Sequence, residues 1–355
     1  MIGLAAGLAA LGDGDEEYLF LTIPGHDAWL EPYLGGPCRS IAQESLAPRH
    51  GLGARIAWQF KARAPGFLRR NWPPPTAGHE AGLAAGALSP SDGTIESAGA
   101  DVMHFPLAGG FLTRVPSIYQ PHDLQHLHYP EFFSDDVLAQ RAFVYRTYCE
   151  EASLIVMMTS WGKRDLVAQF GLDADKVAVI PGGSVISSYP DPSEDQVLAE
   201  RNRLGLPPRF LLYPAQTWEH KNHIRLLEAI AVLRDRDGID VALVCPGRKL
   251  EFFETIAARV DELRLGDRVF FPGFVSPLQL RSLFKLATGL VFPSLFEGWG
   301  LPLTEAFETD LPVAASSATG NPDVVHDAGL IFDPEDVEQI ANAVARLWTE
   351  PDLRR

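Results

Sequence analysis

The stretch 297–305, EGWGLPLTE, holds two carboxylates and two glycines within nine residues. The apolar run before it predicts a buried strand, and Pro302 after the glycines predicts the first turn of a helix. Glycines let a backbone approach a ligand closely, and a helix start favours a bound diphosphate. Carboxylates suit the hydroxyl groups of sugars, whose hydrogen bonds they accept. The spacing therefore predicts that Glu297 and Glu305 flank a ligand ordered as sugar, diphosphate and ribose.

A second interpretation of Glu305 needs no ligand. A glutamate in the first turn of a helix stabilises helices in general, through the helix dipole. For Glu305 alone this interpretation stays open. The whole string, with a glycine loop between two carboxylates, favours ligand binding.

Three histidines follow a predicted strand in the segment YQPHDLQHLHYP. His122 and His126 are four residues apart and His128 follows, so HDLQH imitates the zinc motif HExxH with aspartate in place of glutamate. Pro121 and Pro130 leave little room for the helix that this motif requires. We therefore expect no metal site here.

Alternating strands and helices must position these residues. Mostly unbroken apolar strands followed by helical segments predict an α/β fold with parallel sheets, in two Rossmann-like halves joined by the segment 188–208. Ligands of such sheets lie beyond the carboxyl ends of the strands. Residues 24–48 are rich in Pro and Gly and predict a loop, and 65–95 predict a long irregular stretch. The predicted strands are 18–23, 101–105, 117–120, 154–158, 177–180, 210–213, 241–245, 269–271, 289–292 and 313–315. The predicted helices are one ending near Gly12, then 49–63, 135–152, 160–170, 224–233, 250–263, 277–287, 303–308 and 335–348.

The string EGWGLPLTE resembles the E-x7-E motif of family 4 retaining glycosyltransferases, which have the GT-B fold of two Rossmann-like domains facing a central cleft. The resemblance covers roughly residues 100–350 and implies an acceptor-side domain in 1–188 and a nucleotide-sugar-binding domain in 189–355. The other strings that carry it are WGKRDLVAQFGLDADKVAVIPGG, YPAQTWEHKNHIRLLEAI, FPGFVSPLQLRSLFKLA and LPVAASSATGNPDVVHDAGLIFDP.

The resemblance implies roles for individual positions. Glu297 would bind hydroxyls of the donor sugar, Glu305 those of the ribose, and Lys221, in EHKNH, the pyrophosphate. His122 would reach the donor sugar across the cleft. The arginine that the family usually carries six residues before the lysine is Ala215 here, and Arg248, in CPGRK, is the candidate to replace it. The remaining implied donor contacts are backbone groups of Gly298, Trp299, Gly300 and Leu301 at the sugar and phosphates, and of Phe274 and Val275 at the base.

The implied reaction is transfer of a sugar with retention of configuration and without a metal or other cofactor. Lys221 and the helix start would stabilise the charge on the departing nucleoside diphosphate. A mannosyl-type subgroup is suggested, so GDP-mannose is the favoured donor, with a UDP-sugar as the alternative. The acceptor would be a saccharide or a lipid-linked saccharide in the synthesis of a bacterial surface polysaccharide.

Both ends of the chain depart from the family pattern. The first strand with its Gly-rich loop and the final helix that crosses back onto the first domain are not recognised, so we expect a chain truncated at both ends. A noncatalytic or weakly active nucleotide-sugar-binding protein is therefore one alternative. Another GT-B enzyme, an epimerase or a phosphorylase, is a second. An NAD-dependent oxidoreductase is disfavoured because no GxGxxG follows a strand.

The composition limits the partners and the location. A chain of 355 residues with a formal net charge of −16 is long enough for two domains and is a poor candidate for nonspecific binding to nucleic acid. Cys38, Cys149 and Cys245 match neither a disulfide framework nor a zinc site, which fits a reducing cytoplasm. No apolar run reaches the length of about 18 residues that a bilayer-spanning helix needs.

One segment has a contrasting charge. Residues 49–72 contain basic and aromatic side chains and no acidic ones. Such a segment can attach to an anionic membrane surface, here the inner face of the membrane, or to an anionic lipid-linked acceptor. A solvated helix face running into a loop is the plainer interpretation and is favoured.

Overall fold

The structure is a computed structural model that describes residues 2–25, 27–43 and 88–354. The predicted helix 49–63 and the basic and aromatic segment 49–72 lie outside the described residues. The chain forms two compact units: Met1–Gln120 with Asp135–Leu154, and Pro121–Ser134 with Ile155–Arg355. The domain boundary between residues 188 and 189 stays a prediction.

The first unit opens with a helix and a pair of parallel strands. The predicted N-terminal helix is present, and its Ala5 packs with Phe20 and Leu30 in a small buried cluster. The prediction of a loop throughout 24–48 was wrong, because a strand at Cys38–Ala42 pairs in parallel with the strand Tyr18–Thr22. The strand CRSIA has polar and largely exposed residues and no apolar run, so the sequence carries little strand signal. The elements are helix Ile2–Ala9, β1 (Tyr18–Thr22) and β2 (Cys38–Ala42).

A second parallel pair in this unit packs against a long helix. The strands β3 (Met103–Phe105) and β4 (Ser117–Tyr119) are paired in parallel, as predicted. The helix Asp135–Glu151 places Tyr148 against them, with its ring centroid 5.3 Å from that of Tyr119 and 6.0 Å from that of Phe105. A short helix, Thr94–Ser97, precedes β3.

The second unit contains a parallel sheet of six strands. The strands are β7 (Leu211–Leu212), β8 (Leu243–Pro246), β9 (Val269–Gly273), β10 (Gly289–Phe292), β11 (Val313–Ser316) and β12 (Leu330–Phe332). Their order in the sheet is β12-β11-β10-β7-β8-β9. The central strands are apolar and fully buried, so the prediction of a parallel sheet covered on both faces is confirmed for this half. The sixth strand, β12, was not predicted because it is a three-residue edge strand with an exposed middle residue.

Another strand pair of this unit, β5 (Leu154–Met157) and β6 (Val177–Val179), flanks a well-capped helix. The helix Ser160–Phe170 begins where the Thr159 hydroxyl accepts from Gly162 N, and it ends at Gly171 in the left-handed region, φ 67°. These bounds agree with the predicted helix 160–170. The other helices of the unit with at least eight residues are Glu194–Arg203, His223–Asp237, Phe253–Glu262, Pro277–Leu286, Leu301–Glu308 and Val337–Thr349. None of the helices in the described part of the chain is both long and apolar enough to cross a membrane.

Candidate active site

The carboxyl ends of β7 and β10 bring two predicted site residues into contact. The two strands are neighbours in the sheet, so the loops that follow them meet at one edge. Lys221 follows β7 and Glu297 follows β10, and Lys221 Nζ donates to Glu297 Oε1 at 2.6 Å. Only 18% of the lysine side chain and 13% of the glutamate side chain are exposed. The pair is therefore largely shielded from water, which strengthens its electrostatic attraction.

Backbone contacts fix the lysine in place. The Tyr213 hydroxyl donates to Lys221 O at 2.5 Å, from the end of β7. The next residue, Asn222, has a positive φ of 59° and donates through Nδ2 to Pro293 O at 3.0 Å and to Pro334 O at 2.8 Å. These bonds tie the lysine turn to the residues that follow β10 and β12.

The loop that carries Glu297 is tied down on both sides. Glu297 N donates to Thr319 Oγ1 at 2.9 Å, and the Thr319 hydroxyl donates to Glu297 O at the same distance. The preceding Phe296 is buried, with its ring centroid 5.3 Å from that of His128 and 5.5 Å from that of Trp161. These contacts hold the backbone around Glu297 in place, and the sequence did not reveal them.

The two glycines of the loop have different reasons to be glycine. Gly300 has φ 80°, a conformation that side chains disfavour, and it precedes the helix Leu301–Glu308. A Cβ on Gly298 would lie 2.5 Å from His122 O. His122 itself has a positive φ of 68°. The structure therefore brings His122 to the loop, and Gly298 makes room for this segment of the protein as well as for any ligand.

Trp299 is buried rather than open to the site. It is 7% exposed, and its indole nitrogen has no hydrogen-bond partner among the described residues. A Cβ on Gly182 would lie 2.9 Å from that nitrogen, so the indole packs closely against Gly182. Leu301 begins the helix and is 43% exposed, and no side chain caps this helix start. Leu303 N donates to Gly300 O at 2.9 Å and Pro302 has no N–H, so among the first three helix residues Leu301 has the N–H that can face a ligand.

Glu305 lies one turn into that helix and is only 5% exposed. Burial raises the pKa of its carboxyl to about 7, and the nearby Glu308 carboxylate adds to the effect. No donor in the described part of the chain is paired with this carboxyl. A buried acid with an elevated pKa beside an uncapped helix start is typical of a functional group rather than of a helix-stabilising one.

Arg248 and Phe274 meet at the ends of β8 and β9. The Arg248 guanidinium carbon is 5.2 Å from the centroid of the Phe274 ring. Phe274 is 72% exposed, whereas Val275 packs against the core of the sheet. The contact that the structure shows for the Arg248 guanidinium is with this aromatic ring.

Two histidines beside the lysine, the half-buried His220 and the buried His223, went unrecognised in the sequence. Burial, together with a smaller contribution from the Lys221 ammonium, lowers the pKa of each to about 3. Both rings are therefore neutral near the lysine at neutral pH. The string EHKNH contained this signal, since it places a histidine on each side of the cation.

The zinc motif considered above does not assemble. His126 is buried at 1% exposure, and His128 Nε2 bonds the Asp165 carboxylate at 2.9 Å. Only a single helical turn, Gln125–His128, forms there. Across the residues that the structure describes, no three side chains of His, Cys, Asp or Glu converge as metal ligands would.

Known glycosyltransferases resemble this chain in sequence. Residues 196–355 match the model of the family described as glycosyl transferases group 1. The O-antigen chain mannosyltransferase B of Escherichia coli is 26% identical over 221 residues, which is 62% of this chain and 58% of that protein. A GDP-mannose-dependent alpha-(1-6)-phosphatidylinositol monomannoside mannosyltransferase of Mycobacterium tuberculosis is 26% identical over 219 residues, 59% of this chain and 56% of that protein. The chain thus spans about three fifths of the length of these relatives.

A solved structure shares the fold over most of its length. The crystal structure of Anabaena HepE in complex with UDP and glucose has a TM-score of 0.63 and 18% identity, and the match covers 96% of this chain and 91% of that one. This likeness confirms the predicted GT-B fold class. The roles of the individual site residues remain predictions.

Proposed function

We propose that this chain, whose residues 196–355 match the family described as glycosyl transferases group 1, transfers a hexose from a nucleotide-sugar donor to a saccharide acceptor. The observation that carries the proposal is the shielded contact of Lys221 Nζ with Glu297 Oε1, 2.6 Å long, beside an uncapped helix start. A cation and a helix start suit the diphosphate, and the adjacent carboxylate suits the hydroxyls of the sugar attached to it.

Binding of the donor would replace part of the contact between Lys221 and Glu297 with contacts to the donor. A diphosphate entering the site offers Lys221 a second anion, while sugar hydroxyls offer Glu297 donors in place of part of the ammonium contact. Glu305, in the same helix, would accept from the ribose hydroxyls. Burial raises the pKa of Glu305 to about 7, and hydrogen bonds donated by the ribose hydroxyls would favour its ionised form.

The transfer step conserves the anomeric configuration in this proposal. The acceptor hydroxyl oxygen forms a bond to the anomeric carbon on the face from which the diphosphate departs. The bond from that carbon to the phosphate oxygen breaks, its electron pair stays on the phosphate, and the acceptor proton passes to the departing phosphate oxygen. Lys221 and the helix start stabilise the growing negative charge, and His122 borders the donor sugar.

GDP-mannose is the donor we favour, because the relatives named above include mannosyltransferases and one described as GDP-mannose-dependent. A UDP-sugar is the alternative. The acceptor we propose is a saccharide or a lipid-linked saccharide of a surface polysaccharide. We propose that the enzyme works in the cytoplasm without a metal.

A panel of nucleotide sugars tests the proposal. Calorimetric titration of the full chain should show binding of GDP-mannose, and incubation with acceptor lipids or oligosaccharides should yield an α-linked product by NMR. Lys221→Ala should lower kcat/KM at least 100-fold, the order expected for a group that stabilises transition-state charge. Lys285→Ala is the matched control, because Lys285 also pairs with a carboxylate, that of Asp191, but lies elsewhere on the surface.

The outcomes separate the alternatives. Binding of a nucleotide sugar without transfer to any acceptor would indicate a noncatalytic binding protein. Interconversion of the donor without an acceptor would indicate an epimerase. Failure to bind any nucleotide sugar would contradict the proposal.

A further inference from the structure

The strand order of the six-stranded sheet places the site residues in a row at the carboxyl ends of its strands. The consecutive strands β9, β8, β7 and β10 are followed by Phe274, Arg248, Lys221 and Glu297 in that order. Neighbouring strands lie about 4.8 Å apart, so the loops at the two ends of this series are roughly 14 Å apart. An extended nucleoside diphosphate sugar spans such a distance. With the sugar at Glu297 and the diphosphate at Lys221, the base falls at the ends of β8 and β9.

Arg248 lies where its side chain can contact either the diphosphate or the base. Its strand lies between that of Lys221 and that of Phe274, so a phosphate contact and a base contact are both within its range. The structure shows its guanidinium carbon 5.2 Å from the Phe274 ring centroid. The ring is 72% exposed and so retains open surface beside the guanidinium. The observed side-chain position favours the base.

The two loops are held in this arrangement by their backbones. Gly247 N donates to Gly273 O at 2.9 Å, one residue before each member of the pair. A Cβ on Gly247 would overlap the carbonyl oxygen of Ala215, so the loop after β8 is fixed against the loop after β7. Thr217 adds a hydrogen bond from its backbone N–H to Arg248 O, 3.2 Å long. The exposed pair therefore sits on a rigid support.

We infer that Arg248 and Phe274 form a stacking platform for the nucleobase and make the site prefer a purine nucleoside diphosphate to a pyrimidine one. The inference rests on the proposed use of a nucleotide-sugar donor. In this inference Arg248 recognises the base. It does not replace the phosphate contact of the family arginine, whose position is occupied by Ala215.

The chemistry of the two side chains supports this preference. Guanidinium planes and aromatic rings both stack on the flat faces of bases. A purine presents two fused rings and so offers the guanidinium a larger π-face than the single ring of a pyrimidine. The guanidinium also adds a cation to the π-face, which strengthens the stack.

Titration of the full-length chain with GDP, UDP and inorganic pyrophosphate tests the inference. The unaltered protein should bind GDP more tightly than UDP. Arg248→Ala and Phe274→Ala should each weaken GDP binding roughly tenfold, in line with the loss of one base stack, while pyrophosphate binding stays unchanged. Arg248→Lys should behave like the alanine variant, because lysine retains the charge but has no flat surface to stack.

Lys249→Ala is the matched control, since Lys249 forms a neighbouring cation–π pair, with its Nζ 4.4 Å from the Phe253 ring centroid. It should leave all three affinities unchanged. Equal loss of GDP, UDP and pyrophosphate affinity in Arg248→Ala, with recovery in Arg248→Lys, would assign Arg248 to the phosphates and overturn the inference. Equal affinity of the unaltered protein for GDP and UDP would overturn it too, while leaving the transferase in place. Binding of none of the nucleotides would overturn both proposals.

Discussion

The carbonyl oxygen of His122 occupies the space that a side chain on Gly298 would need, 2.5 Å from the Cβ position. Both residues belong to the segments assigned to the donor sugar, so this backbone contact sets the distance between His122 and the loop of Glu297. Any side chain at position 298 must push the two segments apart.

Gly298→Ala should therefore impair transfer more than donor binding. A misplacement of about 1 Å at a reacting centre can cost on the order of 100-fold in rate, so we expect kcat to fall by roughly that factor. The dissociation constant for GDP should change less, because Lys221 and the base platform are untouched. Steady-state kinetics and calorimetry measure the two quantities. Gly266→Ala is the control, since a Cβ there would meet no atom within 4 Å.

The Lys221–Glu297 contact should appear as a coupling in protein stability. Lys221→Met leaves a carboxylate 13% exposed without its cation, and we expect a loss of roughly 1–3 kcal/mol in the free energy of unfolding. Glu297→Gln should cost a similar amount, and the double variant less than the sum. Urea denaturation of the four proteins yields the coupling energy.

The exposed pair Arg346–Glu350 supplies the comparison for that cycle. Its side chains are 49% and 46% exposed, so its coupling should not exceed about 0.5 kcal/mol. Strict additivity of the Lys221 and Glu297 substitutions would show that the two side chains do not interact in solution.

Glu305 should lower stability at alkaline pH and support nucleotide binding. Its pKa is about 7 in the folded chain against an ordinary value of 4.5, so the folded state holds a proton that the unfolded state loses between these pH values. Stability is therefore lost as the pH rises through this window. Glu305→Gln should raise the free energy of unfolding by about 1–3 kcal/mol at pH 8.

The same variant should gain little at pH 5 and should bind GDP more weakly at both pH values, because the ribose loses its carboxylate partner. Calorimetric melting at pH 5 and pH 8 checks the first expectation and titration checks the second. An equal stability gain at both pH values would contradict the assigned ionisation.

The local chemistry of the site could be predicted from sequence, because strand, loop and helix signals around residues 290–308 are contiguous. Apolar periodicity identifies β10, and Gly300 and Pro302 identify the turn and the helix start. The predicted helix 160–170 likewise has the bounds that the structure shows. These features depend on neighbours in the chain.

The residues that contact these side chains in space could not be predicted, because the order of the strands in the sheet determines which loops meet. The sequence does not state that β10 lies beside β7, and it is this order that brings Glu297 to Lys221 across 76 positions. The need for glycine at position 298 is equally nonlocal, because the carbonyl oxygen of His122 occupies the space that a side chain there would fill. Strand β2 was missed because pairing with β1, rather than an apolar run, stabilises it.

The two neutral histidines beside Lys221 should make the fold acid-sensitive. The pKa of His220 and that of His223 are lowered from 6.5 to about 3. Between pH 3 and pH 6.5, therefore, these histidines are protonated in the unfolded chain and neutral in the folded chain. This contribution to stability is complete above pH 6.5 and is lost as the pH falls toward 3. Each histidine adds at most about 1.4 kcal/mol per pH unit to the slope.

His220→Gln removes one of these groups without adding a charge. The free energy of unfolding, measured in urea from pH 7 to pH 4, should fall less steeply in this variant than in the unaltered chain. The difference in slope should approach the value for one proton in the middle of the window. Parallel curves for the two proteins would mean that His220 is protonated in the folded state and that its ring is open to water.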